Sequence, residues 1–186
     1  MSRFDFLPLP IAGLLLVQRQ RLEDCRGSLS RFYCSEEFET AGIHKPIVQI
    51  NYTQTHCKGA VRGLHFQVPP HAETKFVSCL HGEVFDVAVD LRKNSPTFLK
   101  WHGEVLSGDN QRSLLIPEGF AHGFQTLTAD CELVYLHTSV YKPAFEGALN
   151  AADPRLAIAW PLAITEMSDR DRCHPLLSEH FEGIKL

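Results

Sequence analysis

Apolar and polar positions alternate through the middle of the chain. From residue 46 onward, short apolar runs recur roughly every eight to twelve residues, with turn residues between them. The predicted strands are Ile47–Thr53, Val61–Phe66, Lys75–Leu80, Glu83–Leu91, Trp101–Leu106, Arg112–Ile116, Gly123–Leu127 and Glu132–Thr138. The breaks hold Lys58-Gly59, Val68-Pro-Pro70, Asn94-Ser-Pro96 and Pro117-Glu-Gly119, which are turn formers. This spacing predicts an all-β sandwich or barrel and no βαβ units. The first twenty residues read as a strand-forming arm, and Ser30–Thr40 as the one early helix. After Tyr141 the alternation fades, and residues 164–186 are polar, with short helical turns at most.

Composition narrows the class. At 186 residues, with 44% hydrophobic and 22% charged positions, the chain can build one ordinary globular core, and a single domain over 1–186 is expected. The net charge of -4 speaks against a nucleic-acid surface. The apolar stretch Phe6–Val17 is too short to span a bilayer and lacks a cleavage site, so neither membrane insertion nor a signal peptide is expected. None of the six cysteines stands at C-x-x-C spacing. Reduced thiols and no cysteine-built zinc site follow.

Three stretches carry candidate chemistry. In Glu83–Leu91, Phe85, Val87 and Val89 share one face, and Asp86, Ala88 and Asp90 the other. Asp86 is then either a buried carboxylate in need of a partner or part of a solvated face. In Val61–Gln67, Arg62 and His65 are three residues apart, so strict alternation separates them unless the strand bulges near Gly63. Glu132–Tyr141 puts Leu133, Tyr135 and His137 on one face, where a tyrosine can be a proton donor or simply a packed ring. Pro117-x-Gly-x-x-His122 resembles the second half of the cupin signature. The His-x-His of the first half is missing, because Gln67 follows His65 by two, so no metal site is expected.

Taken in order, Arg-Gly-Leu-His-Phe-Gln (62–67), Lys75, Gly-Glu-Val-Phe-Asp-Val-Ala-Val-Asp-Leu-Arg (82–92), Ser-Pro-Thr-Phe (95–98), Ile-Pro-Glu-Gly-Phe-Ala-His-Gly-Phe (116–124) and Ile-Ala-Trp-Pro (158–161) resemble the dTDP-4-dehydrorhamnose 3,5-epimerase family over roughly residues 20 to 175. The resemblance implies a cupin-type double-stranded β-helix, or jelly roll, with a few short helices and no cofactor. It also implies a cytoplasmic homodimer, with the N-terminal arm (1–45) in dimer contact and the C-terminal tail (162–186) packed over the barrel. The implied substrate is a nucleoside-diphosphate 4-keto-6-deoxy sugar, inverted at C3, C5 or both.

The resemblance also implies roles. His65 matches the general base and Asp171 its partner, with Asp169 as a fallback. Tyr135 matches the general acid and Lys75 a cation near the C4 oxygen. Arg62, Asp86 and His122 match polar residues around the sugar; Arg26, Gln49, Asn51 and Tyr141 match positions that bind the nucleotide. One stretch departs from the pattern: Arg26-Gly-Ser-Leu-Ser-Arg31 replaces the Arg-Gly-x-Phe-x-Glu of thymidine-specific members. A single-centre epimerase or ketoisomerase on a cytidine or guanosine sugar is therefore the alternative enzyme. A catalytically silent sugar-nucleotide-binding cupin is the non-enzyme alternative.

Overall fold

Both faces of the strand around Asp86 are buried, and this decides the architecture. In a computed structural model describing residues 2–186, the chain forms β1 (Phe4–Pro8), β2 (Leu15–Arg19), β3 (Arg21–Asp24), β4 (Gly27–Ser30), α1 (Ser35–Thr40), β5 (Gln49–Thr55), β6 (Val61–Gln67), β7 (Lys75–His81) and β8 (Glu83–Asp90). It continues through β9 (Trp101–Ser107), β10 (Arg112–Ile116), β11 (Phe120–Thr126), β12 (Cys131–His137), a 3-10 turn at Pro143–Phe145, β13 (Glu146–Ala148) and α2 (Asp169–Arg172). One sheet runs β1-β2-β10-β7-β12-β5 and the facing sheet β13-β6-β11-β8-β9; β3 and β4 make a separate hairpin. This is the all-β cupin-type sandwich expected from the sequence, with the same eight central strands shifted by at most a few residues.

Three apolar layers hold it together. Between the sheets lie Val77, Val84, Ala88, Leu114, Phe124 and Leu133. Outside the second sheet, Val87 and Val89 pack with Leu149, Leu156, Leu177 and Ile184 from the C-terminal segment. Outside the first sheet, Phe4 and Phe38 lie against Val17, Phe76, Leu115 and Leu136. The solvated-face reading of Asp86 is thereby corrected: Asp86 is fully buried between the sheets, and the opposite face is roofed by the C-terminal segment.

The predicted helix is shorter than expected. Ser30 ends the β3–β4 hairpin, and Cys34 is still extended at φ -148°, so α1 begins only at Ser35. Phe32, predicted on its apolar face, instead lies under the Arg19 guanidinium, 3.9 Å from ring centroid to Cζ.

The strand does bulge near Gly63, the condition under which Arg62 and His65 can share a site. His122 pairs with His65 but Phe124 pairs with Arg62, so β6 carries one residue more than β11 across this interval. Gly63 has φ +116°, and a Cβ there would sit 2.7 Å from both the Gly123 Cα and the His122 carbonyl oxygen. Only glycine permits that backbone approach. The extra residue turns Arg62 and His65 toward one cavity.

Candidate active site

A cavity of about 220 Å³ opens between the sheets. The first sheet contributes Gln49, Asn51, Lys75 and Tyr135; the second contributes Arg62, His65 and His122. Alternation on β5, β7 and β12 explains the placement, since Gln49 and Asn51, Lys75 and Val77, and Leu133 and Tyr135 all face inward. Tyr141 lines the rim.

Each polar group has a definite partner. His65 Nε2 lies 2.8 Å from Asp171 Oδ1, and Gly63 N–H donates to Asp171 Oδ2 at 3.2 Å. Asp171 stands on α2, which its own sequence caps: the Ser168 hydroxyl accepts the Asp171 N–H at 3.0 Å. Asp169 is exposed, so the structure places Asp171 and not the fallback beside His65. Behind the cavity wall, His122 Nε2 lies 2.8 Å from Asp86 Oδ1. That bond gives the buried carboxylate its partner, though Asp86 Oδ2 has none. Lys75 Nζ donates to the His65 carbonyl at 3.3 Å and pairs with Glu73 at 3.2 Å. The Tyr135 hydroxyl has the Thr53 hydroxyl as a neighbour at 3.4 Å.

Titration follows these contacts. Burial pushes the Tyr135 phenol well above its ordinary value, so it holds its proton at neutral pH. Burial alone raises the Asp171 carboxyl, but the hydrogen bonds from His65 and Gly63 outweigh it and hold the group at about 2. The sign for stability follows. A native value depressed below the unfolded 3.8 stabilises the fold above about pH 4, and this contribution is lost as pH falls through about 2. Its size is on the order of 2 kcal/mol. Denaturation midpoints of the wild-type protein should therefore fall more steeply between pH 4 and pH 2 than those of Asp171→Asn. Parallel curves would deny Asp171 this role.

Two predicted substrate-binding residues do not line the cavity: Asp86 stands behind its wall, and Arg26 lies away from it altogether. It sits at the β3–β4 turn, exposed, with Asp24 at 2.6 Å. Nearby, Arg31 pairs with Glu37 at 2.7 Å and Leu29 is 69% exposed.

The sequence profile described as dTDP-4-dehydrorhamnose 3,5-epimerase matches residues 8–179. The chain belongs to the dTDP-4-dehydrorhamnose 3,5-epimerase family. It is an isomerase on that ground. The dTDP-4-dehydrorhamnose 3,5-epimerase of Salmonella typhimurium is 43% identical over 171 residues, covering 91% of this chain and 93% of the relative. A dTDP-4-dehydrorhamnose 3-epimerase of Streptomyces niveus is 37% identical, covering 92% and 83%. Among solved structures, the dTDP-6-deoxy-D-glucose-3,5-epimerase of Legionella pneumophila in complex with dTDP-4-keto-L-rhamnose superposes with a TM-score of 0.89. It is 39% identical and covers 93% of this chain and 92% of its own.

Several polar cavity residues escaped the sequence reading of this epimerase-family chain. Glu73 and Glu146 line the cavity, as do His137 and Gln67. Glu73 accepts from His137 Nδ1 at 2.9 Å, and burial of its carboxyl is outweighed by His137 and Lys75, which lower it. Glu146 accepts from the Tyr141 hydroxyl at 2.8 Å and pairs with Arg170. His137 had a signal, since it shares the face of Tyr135. Glu73 and Glu146 lie in or beside loops, where no periodicity marks a residue.

Proposed function

We propose that this protein epimerises a thymidine-diphosphate 4-keto-6-deoxy sugar at C3 and C5, through proton removal on one side of the ring and return on the other. The observation that carries this reading is the opposed placement of two proton-transfer groups. His65, backed by Asp171 at 2.8 Å, comes from the second sheet; Tyr135 comes from the first, and both open on one cavity. A sugar lying between the sheets meets a base on one side and an acid on the other, which is what inversion needs.

The steps follow from these residues. With Nε2–H donated to Asp171, His65 keeps a free lone pair on Nδ1 and accepts a proton from the carbon next to the ketone. The electron pair moves onto the C4 oxygen, where Lys75 stabilises the enolate. Asp171 stabilises the imidazolium. Tyr135 then delivers its proton from the opposite side and recovers one from solvent. Arg62 and His122 hold the sugar, with Asp86 fixing the His122 ring from behind, while Gln49, Asn51 and Tyr141 hold the nucleotide.

A homodimer in the cytoplasm belongs to the same reading. Leu22 and Leu29 on the β3–β4 hairpin and Ile50 and Tyr52 on the outer face of β5 are exposed apolar positions suited to a second copy. Arg26 would then serve the partner's nucleotide. No helix among the described residues is long and apolar enough to cross a membrane, and the six cysteines are free.

Deuterium uptake tests the function. In D2O with dTDP-4-keto-6-deoxyglucose, two ring deuterons are expected by mass spectrometry. A single deuteron at C3 would instead favour the 3-epimerase reading, for which the Streptomyces niveus relative speaks. No uptake by folded protein would overturn the thymidine assignment and direct the assay to cytidine and guanosine sugars.

A further inference from the structure

Asp171 Oδ1 serves two histidines at once. His65 Nε2 lies 2.8 Å away and His174 Nε2 lies 3.2 Å away. The imidazole rings meet edge to face, 5.5 Å between centroids at 89°. Proton transfer needs only one of them, and His174 does not line the sugar cavity. Its position is nonetheless fixed: its backbone carbonyl accepts from Asn150 Nδ2 at 3.3 Å, and its side chain is largely buried. His65, Asp171 and His174 each offer one ligand atom, and the three atoms lie within 4.8 Å of one another.

That spacing is close to what a tetrahedral ion requires. Bonds of 2.0–2.1 Å place neighbouring ligand atoms about 3.3 Å apart, against 2.8 and 3.2 Å for the two contacts to Asp171 and at most 4.8 Å between the histidines, so small side-chain shifts close the set on an ion. Two imidazoles and one carboxylate suit zinc, cobalt or nickel rather than magnesium or calcium. We propose that His65, Asp171 and His174 form an inhibitory site for a divalent transition-metal ion, zinc foremost, which captures the dyad from behind.

The chemistry of inhibition follows from the ring. A metal ion takes the Nε2 lone pair, so each neutral imidazole must carry its proton on Nδ1 instead. The proton of His65 moves from Nε2 to Nδ1, no proton is released, and the nitrogen that accepts the sugar proton is no longer a base. Asp171 stays ionised and becomes the anionic ligand. The way in is a second cavity of about 470 Å³, which shares Arg62 and His65 with the first and is also lined by Glu166, Ser168, Arg170 and Asp171. Its arginines oppose a cation and Glu166 favours one, so the three donors set the affinity.

The inhibitory consequence rests on the epimerase reading; the metal site itself does not. Cobalt(II) is titrated into the purified protein while its visible absorption is followed, and deuterium uptake is measured in micromolar zinc with and without EDTA. The intact protein should show the intense bands of low-coordinate cobalt and lose at least tenfold in exchange rate, recovered by EDTA. His174→Gln and His174→Ala should each keep metal-free activity, lose those bands and need at least tenfold more zinc. His44→Gln, at the exposed pair His44–Glu39, should behave as wild type. Cobalt bands without epimerase activity would sustain the site and sink the function. Bands and zinc sensitivity unchanged by both His174 variants would overturn the site.

Discussion

His65→Asn should abolish deuterium incorporation at both C3 and C5, lowering turnover by roughly 10²–10⁴-fold, the usual worth of a general base. Asparagine keeps a polar side chain of similar reach but offers no nitrogen lone pair. Both carbons should fail together, because one base serves one cavity face. The loss should not come from unfolding. Asp171 keeps the Gly63 N–H at 3.2 Å and His174 at 3.2 Å when the His65 contact is gone, and His65 is one-third exposed, so little packing is removed. Equilibrium unfolding that keeps one cooperative transition, lowered by no more than the roughly 2 kcal/mol that the Asp171 contacts supply, would document that. Exchange that survives at either carbon would remove His65 as the base there.

Tyr135→Phe should separate two events that the wild-type enzyme couples. The hydroxyl has Thr53 as a hydrogen-bond neighbour, at the long distance of 3.4 Å, so its deletion should cost no more than about 1 kcal/mol of stability. The ring keeps its place against His122 and His137. Proton removal by His65 is untouched, but the enolate then has no donor on the opposite side. His65 returns a solvent-derived deuteron to the side it came from. Deuterium should enter with retention, while inverted product falls by roughly 100-fold. NMR of the recovered sugar distinguishes the two. Equal loss of exchange and inversion would make Tyr135 a substrate-positioning residue.

Strand content is legible because alternation records it directly: the predicted Arg112–Ile116 has the observed bounds, whereas a bulge near Gly63 is only the condition for Arg62 and His65 to share a site, a condition the fold meets. The environment of Asp86 was not legible. A strand with both faces covered has no polar side to mark the solvent, and its roof arrives from Leu149, Leu156 and Leu177, far along the chain. Local propensity misplaced the start of α1, because pairing of Ser30 with Arg21 in the hairpin overrode it. Motif reading reached His65, Tyr135 and Lys75, which lie on strands within long recognisable stretches. Glu73, Glu146 and His174 lie in or beside loops, where only the folded chain says what they face.

The roof over β8 has a consequence for truncation. Every strand of both large sheets except short β13 lies before residue 138, whereas the carboxylate that orients His65 stands on α2, in the same late segment that seals the outer face. On the proposed mechanism, a chain cut before α2 would present His65 without its carboxylate and the second sheet without part of its roof.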